Sequence, residues 1–211
     1  MSEPRPRAPI AERFRGYLPV VVDVETGGLN PDTDALLEVA AVLIEMDEAG
    51  RLRRGATHAR HVLPFEGARL DPKALEITGI DPWHPFRDAR PEKEALQEIF
   101  RPIRRALRET GCNRAVLVGH NPAFDLAFLK AAVRRCGIKR DPFHPFATFD
   151  TATLAGVALG QTVLAKAVEA AGMEWQSSEA HSAIYDAERT ADLFCHIVNR
   201  WQALERLASG G

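Results

Sequence analysis

The sequence predicts an α/β fold built on a mixed β-sheet flanked by α-helices. Three apolar runs follow one another between Leu18 and Leu63, separated only by turns. Helical periodicities then alternate with two short apolar runs as far as Trp201. Strands joined by turns pair antiparallel and strands joined through helices pair parallel, so one sheet must hold both directions.

Taken in order, Leu18-Pro-Val-Val-Val-Asp-Val-Glu is β-branched and reads as a buried strand. Thr26-Gly-Gly-Leu-Asn-Pro turns the chain, and Leu36 to Met46 forms a second strand ended by Asp47-Glu-Ala-Gly. Arg54 to Leu63 is less regular and supplies the third strand of a meander, closed by Pro64. Residues 64–90 are turn-rich, with a short helix near Pro72–Ile77. From Pro91 to Thr110 a helical stripe runs through Leu96, Ile99, Phe100, Ile103 and Leu107, and Pro102 predicts a kink or break within it. Ala115–Val118 is a strand, Asn121-Pro122 opens a helix to about Cys136, and Ala147–Asp150 is a brief strand leading into further helix. Thr162–Ala171 is helical, and so is His181 to about Trp201, with Ala187, Ala191, Phe194, Val198 and Trp201 facing inward.

Length and composition narrow the class. The 211 residues, 45% apolar and 27% charged, suit one soluble domain, expected over residues 12–203. A flexible Pro- and Arg-rich arm is expected over 1–11 and a disordered tail over 204–211. No run approaches the roughly 18 apolar residues of a membrane span. The start of the chain has no apolar signal-peptide centre, and Cys112, Cys136 and Cys195 are sparse and without metal-like spacing. Together these point to a reducing cytoplasm. The net charge of −2 says nothing of nucleic acid, but Arg101, Arg104, Arg105 and Arg108 share one helix face. Arg114, Arg134, Arg135, Lys139 and Arg140 follow, and Arg13 and Arg15 precede them. Such cations neutralise phosphates, or they simply solvate a helix face.

The chemistry lies in the acids. Asp23 and Glu25 are two residues apart on a strand, which places both side chains on one face about 6.6–6.8 Å apart. Carboxylates at the end of a core strand are costly unless compensated, and a hard divalent cation compensates them. Asp-x-Glu is common by chance and recurs at Asp186-Ala-Glu188, so the pair alone is weak. Asp125 sits in the first turn of the helix after Asn121-Pro122, near a strand's carboxyl end, where α/β sheets gather ligands. His181 and Asp186 are five residues apart, about 140° round a helix, so His181 belongs on a loop before the helix, with Ser182 as a cap. His120 and Asp125 show the same spacing. As a set, Asp23, Glu25, Asp125 and Asp186 would converge on two metal ions about 3.5–4 Å apart. One ion would activate a water and the other would stabilise the leaving 3′ oxygen. His181 would complete the metal-site set and act as the general base.

Asp-Val-Glu-Thr, Asn-Pro-Ala-Phe-Asp and His-Ser-Ala-Ile-Tyr-Asp, in this order, resemble the exonuclease superfamily that uses four acids and a histidine, the DEDDh type. Longer strings, among them Arg13-Phe-Arg-Gly, Asp34-Ala-Leu-Leu-Glu and Asp141-Pro-Phe-His-Pro-Phe-Ala-Thr-Phe-Asp-Thr, resemble one RNA-trimming branch of it over about residues 12–201. That resemblance implies a ribonuclease-H-like mixed sheet and Mg²⁺ dependence, with Mn²⁺ as substitute. It implies 3′–5′ trimming of transfer RNA and other stable RNAs, and activity on single-stranded DNA ends. It further implies a homodimer in which Arg13, Arg15, Arg108, Arg114 and Lys139 of one subunit hold substrate phosphates beside the other's acids. Four positions stack on terminal bases in that branch. Phe124 and Phe146 match, whereas Leu29 and Ile77 stand where phenylalanines are usual and Lys73 where a glutamate is. Asp150 matches a further acid that stands just behind the metal ligands.

Overall fold

The computed structural model describes residues 8–209. The elements are α1 (Pro9–Arg13), β1 (Tyr17–Thr26), β2 (Leu36–Met46), β3 (Leu52–Leu63), α2 (Pro72–Thr78), β4 (Arg90–Pro91), α3 (Glu92–Thr110), β5 (Arg114–Gly119), α4 (Ala123–Arg135), β6 (Phe143–Asp150), α5 (Thr151–Leu159), α6 (Leu164–Ala170) and α7 (Ala183–Ser209). The strands form one sheet in the order β4-β3-β2-β1-β5-β6. β2 is antiparallel to β1 and β3, while β5 runs parallel to β1 and β6. This is the predicted mixed sheet, with the two-residue β4 added beside the end of β3.

Val20, Val21 and Val22 are all buried. Successive strand side chains point to opposite faces, so β1 is covered on both. α3 and α4 pack together against the sheet, and α7 packs on it with α5 and α6 alongside. β1, β5 and β6 finish at the edge of the sheet where β2 begins and β3 ends. The excursion of residues 64–89 leaves from that edge and returns to it at β4. No single described helix is long and apolar enough to cross a membrane.

Several expectations need correction. α3 runs through Pro102 without a break. Proline in a helix costs about 3 kcal/mol, but each fully buried Leu, Ile or Phe contributes about 1.5–3 kcal/mol. Leu96, Ile99, Phe100 and Ile103 are buried on both sides of Pro102 in one core, so packing outweighs the lost bond. Trp201 does not face inward; it is 58% exposed. Asn199, whose side chain bonds both the N–H and the carbonyl of Leu52 at 2.8 Å, marks where α7 leaves the sheet. Of the expected arm, residues 1–7 lie outside the described residues, while Ile10 and Ala11 of α1 are buried in the core. Residues 204–209 continue α7, and only Gly210 and Gly211 of the expected tail lie outside the described residues.

The anchor between α3 and α4 is ionic. Arg135 donates to both carboxylate oxygens of Glu92, Nε at 2.9 Å and an Nη at 2.6 Å, and lies 3.8 Å from the Phe65 ring centre. Arg135 is therefore occupied internally, whereas Arg134 makes an exposed surface pair with Asp32 at 2.9 Å. Glu92 is buried, and stranding it costs several kcal/mol. Arg135→Met should lower the unfolding free energy by about 3 kcal/mol, the low end for a buried pair because Arg135 keeps some exposure. Urea denaturation measures this; a change below about 1 kcal/mol would put the pair in the surface class.

Candidate active site

Asp23 and Glu25 leave β1 on one face, as i and i+2 must. Across the antiparallel register Glu25 faces Glu38 and Asp23 faces Ala40. The β5 pairing with β1 reaches only to Val21↔Val118, and beyond it the N–H of Val24 donates to Asp125 Oδ1 at 3.0 Å. Asp125 thereby pins the first turn of α4 to the end of β1. Gly119 permits that approach, since a Cβ there would lie 3.1 Å from Pro122 Cβ and 3.4 Å from Asp125 Oδ2. Asp186 occupies the first turn of α7, its N–H donating to the carbonyl of Ser182 at 2.9 Å.

One potential ligand atom each from Asp23, Glu25 and Asp186 lies within 4.8 Å of the others. Asp186 Oδ1 is buried without a hydrogen-bond partner. Asp125 is not within that trio's mutual distance, but its charge acts on Asp23 and Glu25. Burial, then the charges of Asp125, Glu25, Asp186 and Glu38, hold the Asp23 carboxyl well above the usual range. Burial, followed by Asp186, Glu38 and Asp125, pushes Glu25 up to about 8. Burial raises Asp125 to about 7 against the pull of two backbone N–H groups, and burial also raises Asp186. The neighbouring charges that act on Asp23 and Glu25 are acidic, and each raises them. Oxygen donors, an orphaned buried carboxylate oxygen and uncompensated charge fit a divalent cation.

The two histidines of equal spacing now separate. His120 is engaged at both ring nitrogens, with Thr151 Oγ1 at 3.0 Å and the Thr162 carbonyl at 2.7 Å. His181 lies on the turn before α7 with φ +64°, and its side chain is exposed. Its backbone N–H donates to Asp186 Oδ2 at 3.2 Å, and its ring is not within the trio of clustered ligand atoms. Asp150 caps α5 by accepting from Ala152 N at 3.0 Å, and it accepts from Asn121 N at 3.1 Å and from the Thr153 hydroxyl. Despite burial, these bonds, Thr153 first, hold its carboxyl below the usual range, and through Asn121 it braces the turn that carries Asp125.

Of the stacking positions, Leu29 and Ile77 are exposed at the acid edge, while Phe124 is half-buried on Phe128 at 4.9 Å between ring centres. Phe146 is exposed because β6 bulges: Ala115 pairs with Phe143 but Leu117 with Thr148. Arg13, Arg15, Arg108 and Arg114 stand at the opposite edge, where β1 and β5 begin and α3 ends, whereas Lys139 lines a cavity along α3 with Lys93, Gln97, Arg101 and Arg104. The six residues of β5 separate the two edges by about 17 Å. Sequence reasoning missed Glu38, which is buried, faces Glu25 and has His61 Nδ1 at 3.7 Å. Its signal was an acid within the apolar run Leu36–Ile44.

A mixed sheet with clustered carboxylates at one edge defines a nuclease-type metal site, and residues 20–194 match a family model described as exonuclease. The chain belongs to that exonuclease family, whose members hydrolyse nucleic acid from the 3′ end. More particularly, it is 64% identical over 196 residues to a Ribonuclease T of Marinobacter nauticus, covering 93% of this chain and 89% of that protein. It is 59% identical over 203 residues to a Ribonuclease T of Hahella chejuensis, covering 96% and 93%. Among solved structures it resembles E. coli Exonuclease I in complex with a dT13 oligonucleotide, with a TM-score of 0.65 and 21% identity. It covers 90% of this chain but only 43% of that one. A full-length 3′-exonuclease gives a TM-score of 0.67 at 17% identity, covering 87% and 82%. These two carry the fold.

Proposed function

We propose that this chain is a cytoplasmic homodimer that trims the 3′ ends of transfer RNA and other stable RNAs one nucleotide at a time, and also acts on single-stranded DNA ends. The observation that carries it is the clustering of Asp23, Glu25 and Asp186 ligand atoms within 4.8 Å, where neighbouring acids hold the Asp23 and Glu25 carboxyls above their usual range. Asp23, Glu25, Asp125 and Asp186 would hold two Mg²⁺ ions, with Mn²⁺ an acceptable substitute. When bound, such ions acidify water and stabilise the leaving oxygen. The chain's own part is to orient and exclude. Asp125 fixes β1 to α4, and Asp186 holds the backbone of His181, whose exposed ring accepts the proton of the attacking water. Phe124 and Phe146 stack on terminal bases, with Leu29 and Ile77 as apolar contacts, and Asp150 keeps the Asp125 turn in place.

The homodimer is supported by the separation of the two edges. Arg13, Arg15, Arg108 and Arg114 lie a strand's length from the acids of their own chain, with Lys139 beside α3. Two copies arranged with each basic edge beside the other's acids would bring the two halves together. Mixing Asp23→Ala with an Arg108→Ala, Arg114→Ala, Lys139→Ala variant, each inactive alone, should restore about a quarter of wild-type activity after subunit exchange, as two-fold symmetry requires. No recovery would remove the shared site.

The substrate is tested with 3′-labelled RNA carrying a stem and a single-stranded tail. Mg²⁺-dependent release of labelled mononucleotides is expected. Preferential turnover of dinucleotides over the tailed stem would instead assign an oligoribonucleotide-degrading role.

A further inference from the structure

Two of the most exposed aromatic rings have no role so far. Trp83 is 66% exposed and Phe86 89% exposed, both on the turn between α2 and β4. A lone exposed apolar side chain needs no explanation, but two aromatic rings on one braced turn at the substrate edge do. Trp83 N–H donates to Asp81 Oδ1 at 3.0 Å, His84 N–H to the Asp81 carbonyl at 3.2 Å, and Arg87 N–H to the His84 carbonyl at 3.1 Å. Pro82 is buried. The Arg87 guanidinium then ties the turn to the sheet, donating to the carbonyls of Val62 at 3.2 Å, Pro82 at 3.4 Å and Leu37.

Leu37 adjoins Glu38, whose charge acts on Arg87 and equally on Asp23 and Glu25. The aromatic turn is therefore anchored one residue from the row that holds the acids. At the same edge Leu29 and Ile77 are exposed aliphatic side chains, and Trp83 and Phe86 add two exposed π faces on the excursion that leaves it.

We propose that Trp83 and Phe86 stack on unpaired bases of the incoming RNA strand, upstream of the nucleotide being removed. The turn is rigid, so little ordering is lost on contact, and any base offers a π face, so this grip is indifferent to sequence. It acts on affinity and not on the chemical step. The proposal rests on the acid row being the hydrolytic centre.

Trp83→Ala combined with Phe86→Ala in the full-length chain tests it. Both rings are exposed, and an unchanged melting temperature checks the fold. In an Asp23→Asn background, which spares the strand from degradation, anisotropy with a labelled 12-nucleotide RNA should show affinity weakened about 5- to 150-fold for each stacked base lost. Moving one abasic nucleotide along the strand should weaken binding at one or two positions with the rings present, and at none of these without them. In the chain with Asp23 intact, KM should rise with kcat unchanged for long strands and neither should change for trinucleotides. Equal affinities and identical abasic profiles overturn the proposal. So does loss of self-association on sedimentation with RNA affinity unchanged, which assigns the rings to a second copy. Failure of the wild-type chain to degrade any RNA, with the affinity difference intact, would instead strike the hydrolytic reading and leave the stacking standing.

Discussion

Replacing Asp23 with asparagine is expected to lower nuclease turnover by at least about a thousandfold while raising the melting temperature of the metal-free protein. Metal charge stabilisation amounts to several kcal/mol, and each 1.4 kcal/mol is a factor of ten. The stability gain follows from the absence of compensation: burial and four neighbouring acids all act against the ionised Asp23 carboxyl. Asparagine keeps the shape and removes the charge. The same reasoning gives a pH dependence. Glu25 is pushed up to about 8 and Asp125 to about 7, so between about pH 4 and pH 8 the unfolded chain releases protons that the folded chain still holds. Stability of the metal-free protein therefore falls as pH rises through that window. Divalent cations should reverse the trend, because they bind the deprotonated site and favour the folded state by mass action. Thermal melts at pH 5.5 and pH 8.5, with chelator and with Mg²⁺, measure all of this. A metal-free melting temperature that is level across the range, and blind to Asp23→Asn, would mean that these carboxyls are not held together in solution.

His181→Ala is expected to cost about 10²- to 10⁴-fold in turnover, the usual worth of a general base, with the Mg²⁺-induced rise in melting temperature preserved. The exposed ring of His181 makes no hydrogen bond among the described residues, and only its backbone is held, by Asp186. Removing the ring breaks no hydrogen bond of the acid cluster, although its charge, which favours ionised Asp186, is lost. His120→Ala is the control: its ring bridges Thr151 and the Thr162 carbonyl, so its loss should loosen the β5–α5 junction and lower stability with a smaller effect on turnover. Should His181→Ala abolish the metal-induced stabilisation as well, the residue is a ligand and not a proton acceptor.

Local pattern was legible where one period dominates. β2 occupies Leu36–Met46 as predicted, because an unbroken apolar run between turn signals has few other options in a buried sheet. The loop position of His181 followed from helical geometry alone, since it cannot share a face with Asp186 from within one helix. Of the kink or break expected at Pro102 the break does not occur, because the buried residues on both sides of it share one core. Phe146 owes its exposure to a register shift between β5 and β6, which no single strand's sequence contains.

The sequence by itself determined the alternation of strands and helices, the acids on the first strand and the two helix starts, and the order in which they come. These depend on side-chain chemistry within a few residues of the backbone. Tertiary structure alone decided that Asp186 joins Asp23 and Glu25 while Asp125 binds the Val24 N–H, that Glu38 faces Glu25, that Arg135 is occupied by Glu92, and that Arg13, Arg15, Arg108 and Arg114 stand at the far edge from the acids. Each of these is a pairing across tens of residues. Such pairings are set by strand order and register, which come from packing the whole core and not from any one segment.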